Sequence, residues 1–211
     1  MDTNRDYVIQ NKAQIESETD TFTNQRYTQF HRLFPAGTKV VLDVGCNTGR
    51  GGQVLKDLNK NYEIWGMDVV QERLEQLDDK VYAKKILGSA SDIPIEDNSV
   101  DAIVGGEFIE HLYALDAVSF LAEAFRVLKV GGVLLVTTPN PYDIKRKYRK
   151  ESILGFSHVS QHFPDILKLQ FKMSGFSKVK IFGTGKTSRY LGLRFPFLSL
   201  YGSYLAMGKK W

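Results

Sequence analysis

Cysteine is nearly missing from this sequence: Cys46 is the one thiol in 211 residues. An internal disulfide is thereby excluded, and a reducing, cytoplasmic location is the expectation. Long apolar runs are missing too. No window approaches the roughly 18 uncharged apolar residues of a membrane-spanning helix, so none is expected. The opening residues, Met1-Asp2-Thr3-Asn4-Arg5-Asp6, lack the apolar stretch of a secretory signal, and no leader is expected. There is no internal repeat and no low-complexity tract, and one domain is the default for this length. Acid is scarce at the end. Residues 140–211 hold 14 Lys+Arg against 3 Asp+Glu, whereas residues 1–139 hold 14 against 21. A basic final third on an acidic body suits an anionic partner there: a phosphorylated substrate, nucleic acid or a membrane surface. A solvated basic face is the bland alternative.

What is present is alternation. Strands are expected at 39–44, 62–67, 81–86, 100–104, 133–138, 176–182 and 199–209. Helices are expected at 50–58, 70–77, 115–128 and 164–174. In the third of these, Val118, Leu121, Ala122, Phe125 and Leu128 form the apolar face, and Gly131-Gly132 breaks it. Tyr7, Val8, Ile15, Phe22, Tyr27, Phe30, Leu33 and Phe34 are spaced more like helix than strand. They predict one or two helices ending before Pro35-Ala36-Gly37. Strands alternating with helices imply an α/β domain with a parallel sheet. A loop of about 16 residues, 183–198, separates the last two strands, and loops that long are often functional or disordered.

The most informative stretch is Val40-Val41-Leu42-Asp43-Val44-Gly45-Cys46-Asn47-Thr48-Gly49: a buried strand, a tight turn and a helix start. It is not a dinucleotide fingerprint. Counted from Gly45, the second and third glycine positions of G-x-G-x-x-G are Asn47 and Arg50. It is not a phosphate loop either, since no Gly-Lys-Ser/Thr ends it. Gly183-Thr184-Gly185-Lys186-Thr187 contains Gly-Lys-Thr without the earlier glycine, and reads as coincidence. Two acids narrow the ligand. Asp43, at the strand end, suits a cationic or amino-bearing group. Asp68, 23 residues after Gly45, is positioned to accept hydrogen bonds from both hydroxyls of a ribose. A ligand with a ribose at one end and an ammonium or sulfonium at the other is S-adenosyl-L-methionine. The alternative is that both acids merely cap helices.

Residues 38–182 resemble a class I S-adenosylmethionine-dependent methyltransferase, of the broad group that includes ubiquinone-biosynthesis and small-molecule O-methyltransferases. Val-Leu-Asp-Val-Gly-Cys-x-x-Gly at 41–49 resembles the first motif, and Asp68 in Trp65-Gly66-Met67-Asp68 the acid of the second. Gly88-Ser89-Ala90-Ser91-Asp92-Ile93-Pro94 resembles the adenine-edge segment. Ser99-Val100-Asp101-Ala102-Ile103-Val104 resembles the fourth strand, with Glu107-Phe108-Ile109-Glu110-His111-Leu112 after it. Residues 123–132, ending Leu128-Lys129-Val130-Gly131-Gly132, match the signature leading into strand five. The resemblance implies a Rossmann-like single domain with a mainly parallel seven-stranded sheet, helices on both faces and an antiparallel last strand. It implies residues 1–37 as an N-terminal helical cap and 38–211 as the methyltransferase domain. It implies Asp43, Gly45, Cys46, Asn47, Gly49, Asp68, Val69, Ser89, Ala90 and Glu107 as cofactor-binding residues. Two departures stand out. Asn47 replaces the usual glycine, although asparagine tolerates positive φ. Ser89 replaces a frequent Asp at the adenine edge.

The acceptor is less legible. A small-molecule or glycan acceptor, with anionic character, is expected, and O-methylation is the expected chemistry. His111 and His158 are the candidate bases, with His162 grouped beside His158, while His31 reads as a lid or surface residue. An alternative uses the same atoms. Glu107-x-x-Glu110-His111 with a later histidine resembles the metal-binding set of the small-RNA 3′-terminal 2′-O-methyltransferases, whose divalent ion engages the terminal ribose. The basic run 145–150 would then meet phosphates. No metal is expected in the leading reading, and nucleic acid is the less expected partner. The apolar segment 190–201 would cover the substrate mouth, pair with another subunit or touch a membrane. A third reading is a protein that binds S-adenosylmethionine without catalysis.

Overall fold

A computed structural model describes residues 7–9, 12, 21–155 and 157–211. The expected helical segment around Ile15 lies outside them, as does Phe156. One seven-stranded sheet organises the chain, in the order β3-β2-β1-β4-β5-β7-β6. The strands are β1 (Val40–Val44), β2 (Glu63–Asp68), β3 (Tyr82–Leu87), β4 (Val100–Gly105), β5 (Leu128–Pro139), β6 (Ser177–Thr184) and β7 (Ser203–Lys209). The first five are parallel, and β7 runs antiparallel to both β5 and β6. Chain order reverses between β1 and β4, which opens a crevice at their carboxyl ends.

Side chains alternate across the strands and divide the core in two. On one face Leu42, Val44, Trp65, Met67, Ile103, Leu134 and Tyr204 meet α4 (Ala114–Val127) and α6 (Pro164–Met173). On the other, Val41, Ile64, Ala102, Val104, Leu135 and Leu205 meet α1 (Thr23–His31), α2 (Arg50–Leu58) and the α3 (Gln71–Glu75) segment. The near-continuous apolar runs of β1 and β4 are those of strands covered on both sides.

Several expectations need correction. The buried stripe of α4 is Ala117, Phe120, Leu121, Ala124 and Val127; Val118 is 45% exposed and Ala122 is also exposed. Two overlapping stripes share Leu121, and the one carrying two alanines lets the helix lie close to the sheet. Phe125 falls at its margin, edge-on to Phe176 at 5.3 Å between ring centroids. The Gly131-Gly132 pair does not precede β5 but lies inside it. Pairing jumps from Val100↔Leu128 to Ala102↔Val133, Gly131 takes φ +86°, and the Gly131 N–H donates to the Lys210 carbonyl. The helix ends at Val127, and the glycines lie where the strand pairing shifts register, as in a bulge. The last strand starts at Ser203, because Leu198–Leu200 forms a 3₁₀ turn. Residues 140–162 contain a short helix, α5 (Ile144–Arg149), and the long loop holds α7 (Ser188–Leu191).

Tight packing beneath the β1 turn yields a stability prediction. A Cβ on Gly52 would lie 2.2 Å from the Tyr82 hydroxyl, which accepts the Gly52 N–H at 3.0 Å. Gly52→Ala is expected to destabilise the fold by about 1–3 kcal/mol through overpacking. Urea unfolding of the two proteins checks it, and an unchanged midpoint contradicts it.

Candidate functional site

At the β1/β4 crevice the chain encloses a cavity of about 630 Å³. That lies within the roughly 300–1,000 Å³ of small-molecule sites. Its floor is the β1 turn, where Gly45, Asn47 and Gly49 take φ +65°, +49° and +83°. The asparagine therefore supports the left-handed turn that the usual glycine would. Of the expected cofactor residues, Gly45, Cys46, Asn47, Asp68, Val69, Ser89, Ala90 and Glu107 line the cavity, with His111 and His158.

Asp43 and Gly49 do not line it. Asp43 is fully buried beneath the turn, accepting hydrogen bonds from the Tyr27 hydroxyl at 2.7 Å and the Tyr82 hydroxyl at 2.8 Å. The expectation that its carboxylate meets a cationic ligand is corrected: two phenols from other elements occupy it. Burial pushes its carboxyl up to about 6, against the pull of both hydroxyls. Gly49 starts α2, and a Cβ there would meet Leu77 and Tyr82 at 2.8 and 2.9 Å. Its role is close packing and a left-handed backbone.

Asp68 closes β2 with its carboxylate over the turn. One oxygen accepts the Asn47 N–H at 3.0 Å and the other the Val70 N–H at 3.0 Å, with Arg73 3.9 Å away. Burial raises its pKa, and those N–H groups and the Arg73 charge oppose the rise. Across the cavity Glu107 sits at φ +50°, its N–H donating to the Thr137 hydroxyl at 2.8 Å. One of its oxygens accepts from Ser203 at 3.2 Å. The other is buried without a hydrogen bond, 3.7 Å from the Arg26 Nε.

Behind Glu107 the 3₁₀ turn Ile109–His111 receives the 153–162 segment. The Val159 and Ser160 N–H groups both donate to the Glu110 carbonyl, at 3.0 and 3.1 Å. This lays His158 edge-on to His111, 4.9 Å between centroids. The His111 Nδ1 lies 2.7 Å from the Ser157 carbonyl, and burial and His158 hold its pKa down to about 4. Glu110 is fully buried and neither of its carboxylate oxygens has a hydrogen bond. The Thr138 hydroxyl favours its charged form without making one, and its pKa is raised by burial and by Glu107. Ligand atoms of Glu110, His111 and His158 lie within 4.8 Å of one another. His162 does not join them: it is buried and pairs with Ser160 at 2.8 Å and the Ile109 carbonyl at 3.1 Å. His31 contacts the Tyr62 hydroxyl away from the cavity.

Residues 42–136 match the methyltransferase domain family. A probable S-adenosylmethionine-dependent methyltransferase of Mycolicibacterium smegmatis is 36% identical over 101 residues, 47% of this chain and 38% of that protein. Over those residues the chain is similar to S-adenosylmethionine-dependent methyltransferases. It spans about two fifths of the length of the curated relatives it matches first. Solved structures share the fold. A methyltransferase of Archaeoglobus fulgidus superposes with TM-score 0.70 at 20% identity, covering 90% of this chain and 93% of that one. A Haemonchus contortus phosphoethanolamine N-methyltransferase in complex with S-adenosyl-L-methionine gives 0.63 at 16%, covering 89% and 52%.

The groups lining the cavity suit S-adenosylmethionine chemically. Asp68 offers carboxylate acceptors, and one Glu107 oxygen is a buried acceptor that receives no hydrogen bond, with Arg26 3.7 Å away. Among the described residues the Ala90 N–H donates to no protein acceptor. Further lining residues went unread in the sequence, Gln25, Arg26, Arg73 and Lys186, whereas Lys145 and Arg146 belong to the basic run expected to meet phosphates. Lys186 stood in the Gly-Lys-Thr set aside as coincidence. It forms no phosphate loop, yet it reaches this site. Arg26 carried no signal at all, since only the folded chain brings α1 over the sheet edge. No helix among the described residues is long and apolar enough to cross a membrane.

The raised Asp43 pKa sets a pH dependence. A carboxyl at about 6 in the folded chain and near 3.8 unfolded favours folding fully below the lower value, and that contribution is lost as pH rises through 6. Asp43→Asn removes the effect. Between about pH 4 and pH 7 the stability of wild type relative to this variant is expected to fall by about 2–3 kcal/mol. Urea midpoints across that range test it, and a pH-independent difference contradicts it.

Proposed function

We propose that this protein transfers the methyl group of S-adenosylmethionine to a hydroxyl of a small-molecule or carbohydrate acceptor. The observation that carries the reading is the convergence of Asp68, Glu107 and His111 on one cavity at the switch point of the sheet. Asp68 accepts hydrogen bonds from the ribose hydroxyls. Glu107, with one buried oxygen that receives no hydrogen bond, accepts from the ammonium of the methionine part. Ala90 and Ser89 meet the adenine edge, and α1 acts as the described part of a cap formed by residues 1–37 over 38–211; residues 1–6, 10–11 and 13–20 lie outside the described residues.

The bond broken is that between the sulfonium sulfur and its methyl carbon, and the bond formed joins that carbon to the acceptor oxygen. Alignment and closeness supply much of the acceleration. His111 takes the hydroxyl proton. Its depressed pKa keeps it neutral near pH 7, the form able to accept one. Asp68→Ala is expected to weaken S-adenosylmethionine binding by about 1–3 kcal/mol in calorimetry. Unchanged affinity sinks the assignment. His111→Ala is expected to spare that binding and lower turnover about 100-fold or more. The readout is S-adenosylhomocysteine release over phenols, sugars, sugar nucleotides, glycans and short RNAs. Tight donor binding with release on none of them favours the non-catalytic reading.

A second reading is favoured by one further observation. Glu110, His111 and His158 bring three ligand atoms together, and Glu110 is a buried carboxyl with no hydrogen-bond partner. A divalent cation would satisfy it, with neutral imidazoles as the other ligands. In this version the transfer is metal-assisted, as in a methyltransferase of RNA 3′-terminal 2′-hydroxyls. Chelator treatment is then expected to abolish turnover and added Mn²⁺ or Mg²⁺ to restore it. Activity surviving chelation contradicts the metal version and leaves the first reading standing.

A further inference from the structure

We propose that the acceptor carries a phosphate ester, seated by Lys145, Arg146 and Lys186 at the rim of the cavity. The proposal rests on the methyl-transfer reading and names the substrate class of that site. Six cationic side chains line the cavity, against the three acids Asp68, Glu107 and Asp143. Two of the six are near acids: Arg26 by Glu107 at 3.7 Å and Arg73 by Asp68 at 3.9 Å. Lys145, Arg146 and Lys186 have no carboxylate within ion-pair distance among the described residues. Asp143 does not neutralise them, because its carboxylate is buried and caps α5, accepting the Lys145 backbone N–H at 3.1 Å.

Arg146 gives an independent sign. Its Nε is buried without an acceptor, and its Nη1 reaches only the Ser152 carbonyl at 3.3 Å. A buried guanidinium N–H with nothing to donate to costs free energy that an incoming oxygen anion repays. Lys186 comes from a different part of the chain, yet its turn is held in place. Gln25 of α1 donates to the Gly185 carbonyl at 3.1 Å and to the Ser188 hydroxyl at 2.6 Å, while Thr184 donates to Gln29 at 2.5 Å. The Arg189 Nε donates to the Gln25 Oε1 at 2.7 Å.

This network walls the cavity on the α1 side. The cations share the lining of one cavity of about 630 Å³. A compact anion fits that arrangement better than a nucleic-acid strand. Three donors from two segments suit a group with several terminal oxygens, which a phosphate ester supplies and a single carboxylate fills less well. The rest of the basic run points elsewhere: Lys147, Tyr148, Arg149 and Lys150 are exposed and do not line the cavity.

The test uses the full chain saturated with S-adenosylhomocysteine, titrated with a hexose phosphate, a nucleoside diphosphate sugar, the free hexose, inorganic phosphate and a short single-stranded RNA. At least one of the two phosphorylated sugars is expected to bind more tightly than the free hexose and the RNA. Arg146→Ala and Lys186→Ala are each expected to weaken it about tenfold, with S-adenosylhomocysteine affinity unchanged. Inorganic phosphate is expected to compete. Binding of S-adenosylhomocysteine with no preference for phosphorylated over free sugar overturns this proposal alone. So does an equal loss of S-adenosylhomocysteine affinity in the variants, which assigns the cations to the cofactor. Tighter, variant-sensitive binding of the RNA also overturns it, in favour of a nucleic-acid acceptor. Failure of the wild type to bind S-adenosylhomocysteine overturns the methyl-transfer reading, and this proposal with it.

Discussion

The rest of the structure depends on a buried carboxyl. Asp43 sits under the β1 turn and holds the hydroxyls of Tyr27 and Tyr82. Those rings come from α1 and β3, so one side chain ties the covering helix, the central strand and the sheet's far edge together. The glycines of α2 exist for the same reason: a Cβ on Gly51 would lie 2.0 Å from the Tyr27 ring, and one on Gly52 would strike Tyr82. Removing a carboxylate from water is costly, and the two phenols and a raised proton affinity offset it. The turn above it then presents Gly45, Cys46 and Asn47 to the cavity in a fixed geometry.

That arrangement explains what the sequence shows and what it hides. The strand, turn and helix of 40–58 are legible because apolar runs, an acid and small residues occur in the order a βα crossover needs. The Asp68 placement is legible for the same reason. Asp43 is misread because spacing reports that an acid ends the strand but not which way it points; its partners lie 16 residues before and 39 after it. The α4 face is misread because two stripes share Leu121 and only the approach distance to the sheet chooses between them. The wall of the site is legible only as the basic run 145–150. That Gln25, Arg26 and Lys186 line the same cavity follows from long-range folding that no local pattern encodes.

The cavity divides chemically. At the β2 side lie acids and open backbone donors. Glu107 stands opposite, and beyond it are two histidines and a buried carboxyl lacking hydrogen bonds. At the rim are cations without counter-charges. A donor with a ribose and an ammonium, and an acceptor with negative charge, meet complementary groups in such a layout. The basic character of residues 140–211 thus resolves into two populations. Lys145, Arg146 and Lys186 line the cavity, while the remaining lysines and arginines of this stretch do not.

The most direct measurement is a crystal structure of the full chain with S-adenosylhomocysteine. The account predicts the ribose hydroxyls on the Asp68 carboxylate, the amino group on Glu107 and the sulfur facing the His111–His158 pair, with the rim cations left open to an acceptor. A ligand bound elsewhere, or lodged in this cavity without touching Asp68, contradicts it.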